Sequence, residues 1–260
     1  MKEFVKKLLK GSKVGRYFYE PLHKLYRLWA VPHRRRVLKK NGPQVLKDLS
    51  AIFKKYDIPA FAAYGTMLGF VRDHGFIAHD DDMDVGVMPG EWTPQRVLKV
   101  LLEQEKGFRV LFVFKFRNRV TEFKVEYKRI PIDFFFYEET DTEFLSHLYF
   151  FIDGVDYPAP NANSMKVVHT PKFEGVEWIR VFDDEFPVLK NPEKVLAALY
   201  GEGWRVPDKG WYDDKRPHIE EIDEFGYSIT PAEALAMPEQ PWTVVGGNPA
   251  RFIKRRELKG

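Results

Sequence analysis

The chain has 260 residues, of which 44% are hydrophobic, so it can form one large globular domain or one domain with appendages. It contains no cysteine, which excludes disulfides, a thiolate nucleophile and a cysteine zinc site. No apolar stretch reaches the about 18 residues of a membrane span, and residues 1–10 lack the apolar core of a secretory signal. These features predict a soluble cytoplasmic protein.

The positive charge is concentrated at the N-terminus. Residues 1–40 carry 13 Lys or Arg against Glu3 and Glu20, whereas the rest of the chain is net negative. Apolar and aromatic residues interleave with these cations at helical spacing, as in a helix that lies on an anionic membrane surface. A flank that packs on the domain and keeps its cations in water gives the same pattern. Nucleic-acid binding is not expected, because no recognised motif accompanies the charge.

The first element predicted after this flank is an amphipathic helix. Asn41-Gly42-Pro43 is typical of a helix start, and apolar residues then recur at three- and four-residue steps as far as Asp57. A buried strand is predicted over 58–64, and Gly65-Thr66 turns out of it into a short helix over 67–71. Free N–H groups in the first turn of that helix could hold a phosphate.

Residues 82–87 alternate acidic or small residues with apolar ones, which predicts a strand. Asp82 and Asp84 then point to the same face, one pleat apart, and form a site for a hard cation. A calcium-binding EF-hand loop over residues 80–91 is one alternative, but Val85 stands where such a loop needs glycine for its sharp turn. A merely solvated acidic loop is also disfavoured, because carboxylates so close together repel one another unless a cation neutralises them.

A helix is predicted from Thr93-Pro94 to Gly107, followed by a meander of three short strands at 108–116, 120–127 and 130–137. The third strand carries Asp133 in an otherwise apolar run. Because an unpaired buried charge is costly, Asp133 must meet a Lys or Arg or lie at an open site. It is therefore either a paired structural residue or a third ligand beside Asp82 and Asp84.

The second half of the chain has weaker patterns. Residues 142–151 are compatible with a helix, and a second helix is predicted between Asn191-Pro192 and Gly201. Residues 205–235 are expected to wrap the surface. Short strands are predicted at 166–169, 177–181 and 187–188. The chain is thus divided into a basic amphipathic flank (1–40), a central domain (41–210) and a C-terminal extension (211–260).

Two motifs resemble the LicD family of fukutin-like phosphotransferases. The first consists of Tyr64-Gly-Thr-Met-Leu-Gly69, Arg72, Gly75-Phe-Ile77 and Asp80-Asp-Asp-Met-Asp84, and the second of Pro187-Val188 and Tyr200-Gly201-x-x-Trp204-x-x-Pro207. His79 stands where the family usually has Trp, which leaves the pocket wall undefined. The resemblance covers residues 40–210 and implies an α+β, nucleotidyltransferase-like fold. That fold is a mixed β-sheet flanked by helices, here with a helical N-terminal flank and an irregular C-terminal extension.

The same resemblance implies a reaction. Family members transfer phosphocholine, or a comparable phospho-alcohol such as ribitol phosphate, from a CDP-linked donor to a hydroxyl of a cell-surface glycan, and release CMP. The acceptor would belong to a polysaccharide such as lipopolysaccharide or capsule and could be lipid-linked, which would place the enzyme peripherally at the inner face of the cell membrane.

Carried over position by position, the resemblance makes Asp82, Asp84 and Asp133 ligands of Mg²⁺ or Mn²⁺. Gly65, Thr66 and Arg72 become contacts of the donor phosphates. Asp133 could also take the proton of the acceptor hydroxyl, while Arg72 offsets charge on the transferred group. If Arg72 is paired with Asp80 or Asp81, its role would instead be structural.

Other functions are also compatible with these residues. An Asp-x-Asp glycosyltransferase would use the carboxylates with a nucleotide-sugar, but it does not account for Gly65-Thr66 and Arg72. An enzyme that transfers the nucleoside monophosphate would use the same site with the other phosphorus attacked, and a binding module would hold metal without turnover. The tail over 241–256 resembles the closing segment of hexapeptide-repeat acyltransferases, but no β-helix coils precede it, so no acetyl transfer is inferred.

Overall fold

The computed structural model describes residues 13–152, 155–208 and 218–239, with side chains from residue 28 onward. The acyltransferase-like tail lies outside these ranges. The elements are, in chain order, α1 (Lys13–Tyr56), β1 (Ala60–Ala62), α2 (Tyr64–Arg72), β2 (Met83–Val87), α3 (Pro94–Lys99, continued by a π-helical turn at Val100–Gln104), β3 (Arg109–Phe116), β4 (Arg119–Tyr127), β5 (Ile130–Phe136), β6 (Glu138–Glu139), β7 (Glu143–Phe150), β8 (Ala162–Pro171), β9 (Val176–Val181), β10 (Asp184–Leu189), α4 (Pro192–Tyr200), β11 (Ile219–Ile229) and α5 (Pro231–Ala236).

A nine-stranded sheet in the order β1-β2-β5-β4-β3-β11-β8-β7-β6 forms the centre of the fold. β2 and β5 run parallel, and the other neighbouring strands pair antiparallel. β9 and β10 form a separate small sheet. Phe186 of β10 packs edge-on against Phe53 of α1 and Phe70 of α2, so this small sheet joins the two helices. The predicted α+β class, a mixed sheet flanked by helices, is confirmed.

The predicted meander is confirmed as β3, β4 and β5. Lys128 and Arg129, which connect β4 to β5, have φ angles of 48° and 70°. Positive φ at both central residues is the requirement of a type I′ hairpin turn, which matches the twist of the flanking strands. The turn fixes the register of this hairpin, and Lys124 therefore lies opposite Asp133.

Helix α1 does not begin at Pro43, as the local signal predicts, but runs without interruption from Lys13 to Tyr56. Proline inside a helix removes a hydrogen bond and normally ends it. Here the packing overrides the local preference, because buried residues continue N-terminal to Pro43, with Leu38 and Ala30 at 1% and 4% exposure. In the described part of the chain, no helix is both long and apolar enough to cross a bilayer.

Two further predictions were wrong. Residues 143–150 form strand β7, not a helix, because they pair along their whole length with β8 and the pairing outweighs an ambiguous short apolar pattern. Within 205–235, residues 219–229 do not wrap the surface but form β11, which is inserted between β3 and β8. A register shift between Ile222 and Phe225 interrupts the alternation of β11, which explains why its pattern is weak in the sequence.

Candidate active site

The turn between β1 and α2 is held against the acidic strand β2. The backbone N–H of Asp84 donates to Thr66 Oγ1 at 2.8 Å, and the Asp84 carbonyl accepts from the N–H of Ala63 at 2.9 Å. Gly65 lies directly beside two carboxylates, since a Cβ at this position would be 3.4 Å from Asp80 Oδ2 and 3.7 Å from Asp84 Oδ2. The Gly-Thr turn therefore fixes the position of Asp84.

Tyr64, the first residue of α2, adopts the left-handed conformation with φ of 41°. This conformation is unfavourable for a large side chain, so the surroundings must hold it. The ring of Tyr64 packs edge-on against Phe135, and its hydroxyl lies 2.5 Å from Ser146 Oγ of β7. These contacts anchor the turn from strands on two sides.

The adjacent strands β2, β5 and β4 carry a row of charged residues across the sheet. Asp84 lies opposite Asp133, and Asp133 lies opposite Lys124. The Lys124 ammonium is 2.6 Å from Asp133 Oδ2 and 3.3 Å from Asp82 Oδ2. Asp133 is only 5% exposed, and its Oδ1 is buried without a hydrogen-bond partner. The expectation that Asp133 meets a cation is confirmed, and Asp133 Oδ1 remains without a hydrogen-bond partner.

Burial and mutual repulsion disfavour the charged forms of these carboxylates. Burial, followed by the negative charge of Asp82, raises the pKa of Asp80 to about 7. Burial raises the pKa of Asp133 to about 6, although Lys124 opposes the shift. Burial together with Asp82, Asp133 and Asp80 holds the pKa of Asp84 well above its usual range. A cation placed among these carboxylates would favour their charged forms and relieve the repulsion, so the arrangement suits cation binding.

Two residues of this cluster were missed at the level of sequence. Lys124 is one, and its place could have been derived, because a two-residue turn at 128–129 pairs residue 124 with residue 133. The other is Glu122, which is two residues from Lys124 on β4 and 8% exposed. Its Oε2 is buried and has no hydrogen-bond partner. Burial, then the charge of Asp133, raises the pKa of Glu122 well above its usual range.

A purely structural role was expected to pair Arg72 with Asp80 or Asp81. Arg72 pairs with Asp73 instead. Its Nε and Nη2 each donate to the Asp73 carboxylate at 2.8 Å, and Nη1 donates to the carbonyl of Trp204 at 3.3 Å. The hydrogen bonds from Arg72 lower the pKa of Asp73. Arg72 thus joins the first sequence motif to the second, and its guanidinium is held rather than mobile.

Two arginines of α1 contact the loop that leads into β2. Arg34 forms an ion pair of 2.6 Å with Asp81, and Arg35 donates from Nε to the carbonyl of His79 at 2.8 Å. Part of the basic flank therefore packs on the domain at the acidic segment. Further along the same helix, Leu28 and Trp29 are 69% and 65% exposed.

The donor set of Asp82, Asp84 and Asp133 is chemically suited to Mg²⁺ or Mn²⁺, because these cations prefer carboxylate oxygens. The unpartnered Asp133 Oδ1 supports this fit. As they stand, however, the described residues contain no group of three or more His, Asp or Glu side chains drawn together as a metal cluster. Two of the three carboxylates instead contact Lys124.

Replacing Asp80 by Asn should stabilise the metal-free protein by an amount that depends on pH. The folded-state pKa of about 7 lies above that of an ordinary Asp, so folding favours the protonated carboxyl and stability is lost as pH rises between the two values. The gain in melting temperature should be small near about pH 4, grow with pH, and level off above about pH 7. Each kcal/mol corresponds to roughly 2–4 °C.

Thermal unfolding in chelator, compared with the exposed control Asp141→Asn, measures this difference. A gain that is the same at every pH would contradict it.

Residues 57–178 match the family model described as LicD/FKTN/FKRP, nucleotidyltransferase domain, and all of the carboxylates above lie within this range. The chain is similar to the ribitol-5-phosphate transferase FKTN of Mus musculus, with 27% identity over 177 residues, 67% of this chain and 35% of the relative. The Homo sapiens protein of that name is 25% identical over 175 residues, 66% of this chain and 35% of the relative.

An uncharacterized protein of Rickettsia typhi is 32% identical over 109 residues, 37% of this chain and 35% of the relative. The chain thus spans 35% of the length of each of these relatives. The matched segment holds the Gly-Thr turn, Arg72 and the three aspartates in one domain. The match over residues 57–178 and the similarity to the FKTN proteins support membership of the LicD family.

Proposed function

We propose that this chain is a metal-dependent phosphotransferase that moves a phospho-alcohol from a CDP-linked donor to a hydroxyl of a cell-surface glycan and releases CMP. The observation that carries the proposal is the row of carboxylates on β2 and β5 beside the Gly65-Thr66 turn. It combines a site for a hard cation with the start of a helix, where N–H groups suit a phosphate. The name of the FKTN relatives makes ribitol phosphate the first group to test and phosphocholine the second.

In the proposed reaction, the acceptor oxygen forms a bond to phosphorus, the bond from phosphorus to CMP breaks, and CMP leaves with the negative charge. Asp133 takes the proton of the acceptor hydroxyl. A carboxylate whose pKa is about 6 is ionised near neutral pH and still basic enough for this task. Mg²⁺ or Mn²⁺, held by Asp82, Asp84 and Asp133, would offset the charge of the phosphate oxygens.

Arg72 and Thr66 serve the donor phosphates in this proposal. The guanidinium of Arg72 is fixed by Asp73 and the Trp204 carbonyl, so its charge can act on a phosphate without the cost of ordering a free side chain. Thr66 Oγ1 accepts a hydrogen bond from the backbone N–H of Asp84, so the hydroxyl proton of Thr66 remains available to donate to a phosphate oxygen.

The decisive experiment offers the protein CDP-ribitol, CDP-choline, CDP-ethanolamine and nucleotide-sugars, each with Mg²⁺ or Mn²⁺ and a glycan acceptor, and identifies the products by mass spectrometry. CMP and a phospho-alcohol on the acceptor are expected. Transfer of a sugar would replace the proposal with a glycosyltransferase, and CMP attached to the acceptor would replace it with a nucleotidyltransferase. Consumption of no donor, with metal binding intact, would indicate a binding module.

The basic flank is proposed to bring the enzyme to a membrane that carries the acceptor, at the cytoplasmic face. Lys and Arg near an anionic surface contribute about 1 kcal/mol each, weakened by salt, and exposed Trp and Leu can enter the interface. Leu28→Glu combined with Trp29→Glu should therefore reduce co-sedimentation with anionic liposomes. Val206→Glu, at an exposed apolar residue elsewhere, is the control. Equal sedimentation of all three proteins, or no dependence on anionic lipid, would remove the membrane role.

A further inference from the structure

Lys124 contacts two of the three carboxylates that would hold a metal ion in the proposed function. Its ammonium group lies between Asp133 Oδ2, at 2.6 Å, and Asp82 Oδ2, at 3.3 Å. Asp133 lies on β5, Lys124 on β4 and Asp82 immediately before β2, so the contact with Asp133 is built by the register of β4 on β5. The side chain of Lys124 is 25% exposed and that of Asp133 is 7% exposed, which shields the pair from solvent.

We propose that Lys124 is a resident counter-cation, which neutralises Asp82 and Asp133 in the metal-free protein and must leave both before a divalent metal ion can bind. The proposal rests on the metal site of the proposed function. A unit charge that competes for the same oxygens and repels an incoming cation lowers metal affinity on both counts. Lys124 thereby sets how tightly the site holds a metal ion.

Glu122 supplies the position to which Lys124 moves. It lies two residues before Lys124 on β4, and residues two apart on a strand point to the same face. Glu122 Oε2 is buried and has no hydrogen-bond partner, although a buried carboxylate normally requires one. An ammonium displaced from Asp82 and Asp133 can pair with this carboxylate without entering solvent. Glu122 therefore acts as a positioning residue for Lys124.

Calorimetric titration with Mn²⁺ alone, without nucleotide, tests the exchange. Lys124→Gln should bind Mn²⁺ more tightly than the wild type, by roughly tenfold or more. In chelator it should melt at a lower temperature, because Asp82 and Asp133 lose their partner. Lys128→Gln is the matched control, since Lys128 lies just after the same strand but pairs with Asp48, outside the site. Its Mn²⁺ affinity should equal that of the wild type.

Glu122→Gln gives a second and opposite test. Without its alternative partner, Lys124 should remain on Asp82 and Asp133, and Mn²⁺ affinity should fall. In the double variant Lys124→Gln/Glu122→Gln, the effect of Glu122→Gln should vanish, because no lysine remains to be positioned. A purely electrostatic effect of Glu122 would persist in that background. If Lys124→Gln does not fold, Glu122→Gln still tests the proposal, because unchanged Mn²⁺ affinity in that variant would overturn it.

Failure of this inference is distinguishable from failure of the proposed function. A wild type that binds Mn²⁺ while Lys124→Gln binds it no more tightly overturns the counter-cation alone. If neither protein binds Mn²⁺, the proposed metal site and the proposed counter-cation role of Lys124 are both rejected. A wild type and variants that follow the expected affinities but transfer no phospho-alcohol would support the exchange and reject the proposed reaction.

Discussion

Asp84→Asn should reduce phospho-alcohol transfer by at least about 10²–10³-fold and leave the fold intact. Asp84 is held by its backbone on both sides, through Thr66 Oγ1 and the Ala63 N–H, so the substitution keeps the strand in place. Asn is isosteric but neutral, and it removes a charge that burial, followed by repulsion from Asp82, Asp133 and Asp80, disfavours; these effects raise the pKa of Asp84. Metal-free stability should therefore be unchanged or higher. Asp82→Asn is expected to abolish transfer in the same way.

Two measurements check this prediction. Turnover is followed with the donor that the product analysis identifies, and the melting temperature is recorded in chelator and in Mg²⁺. Metal should raise the melting temperature of the wild type by mass action and have little effect on Asp84→Asn. Asp141→Asn, at an exposed position, should behave like the wild type in both. Full activity of Asp84→Asn, or of the wild type in chelator, would contradict the metal-dependent mechanism.

Gly69→Ala should destabilise the protein by roughly 1–3 kcal/mol or more. An added Cβ would lie 2.5 Å from the carbonyl oxygen of Gly75 and 3.1 Å from the backbone nitrogen of Ile77. Both neighbours are backbone atoms, which cannot rotate away as a side chain can. The segment 73–77 would have to move, and it leads directly into the loop that carries Asp80 and Asp81.

Gly203→Ala provides the matched control for this glycine, because no atom lies within 4 Å of a Cβ at that position. Denaturant unfolding of both variants gives the difference in free energy of unfolding. Gly69→Ala should also weaken Mn²⁺ binding, since the loop before β2 is displaced. If the two substitutions had the same effect on stability, the close approach of α2 to Gly75 would not be a feature of the folded protein.

The parts of the site that follow a local pattern were predictable. Alternation along 82–87 predicts a strand, which the structure forms over Met83–Val87, and the isolated charge of Asp133 requires a nearby cation, which proved to be Lys124. The register of β4 against β5 follows once the two-residue turn at 128–129 is recognised. In each case the controlling interactions lie within a few residues or across one hairpin.

Other parts depend on contacts that no local pattern contains. β11 enters the sheet between strands that are about 50 and about 110 residues away in the chain, so only tertiary pairing reveals it. Arg72 has acidic residues at 73, 80 and 81 within reach in sequence, and the choice of Asp73 follows from the end of α2. The continuation of α1 through Pro43 is decided by the packing of Leu38 and Ala30, which overrides a helix-start signal.

The unbroken course of α1 has a consequence for where the protein can be shortened. A shortened chain that starts at residue 41, where the sequence suggests that the domain begins, would lack Arg34 and Arg35. Asp81 would then lose its 2.6 Å ion pair, and the His79 carbonyl would lose its donor. The loop that carries His79 and Asp81 would thus lose these contacts with α1, although every aspartate would remain in the chain. Deletions that probe the basic flank should therefore stop before residue 28, and purification tags belong upstream of that point.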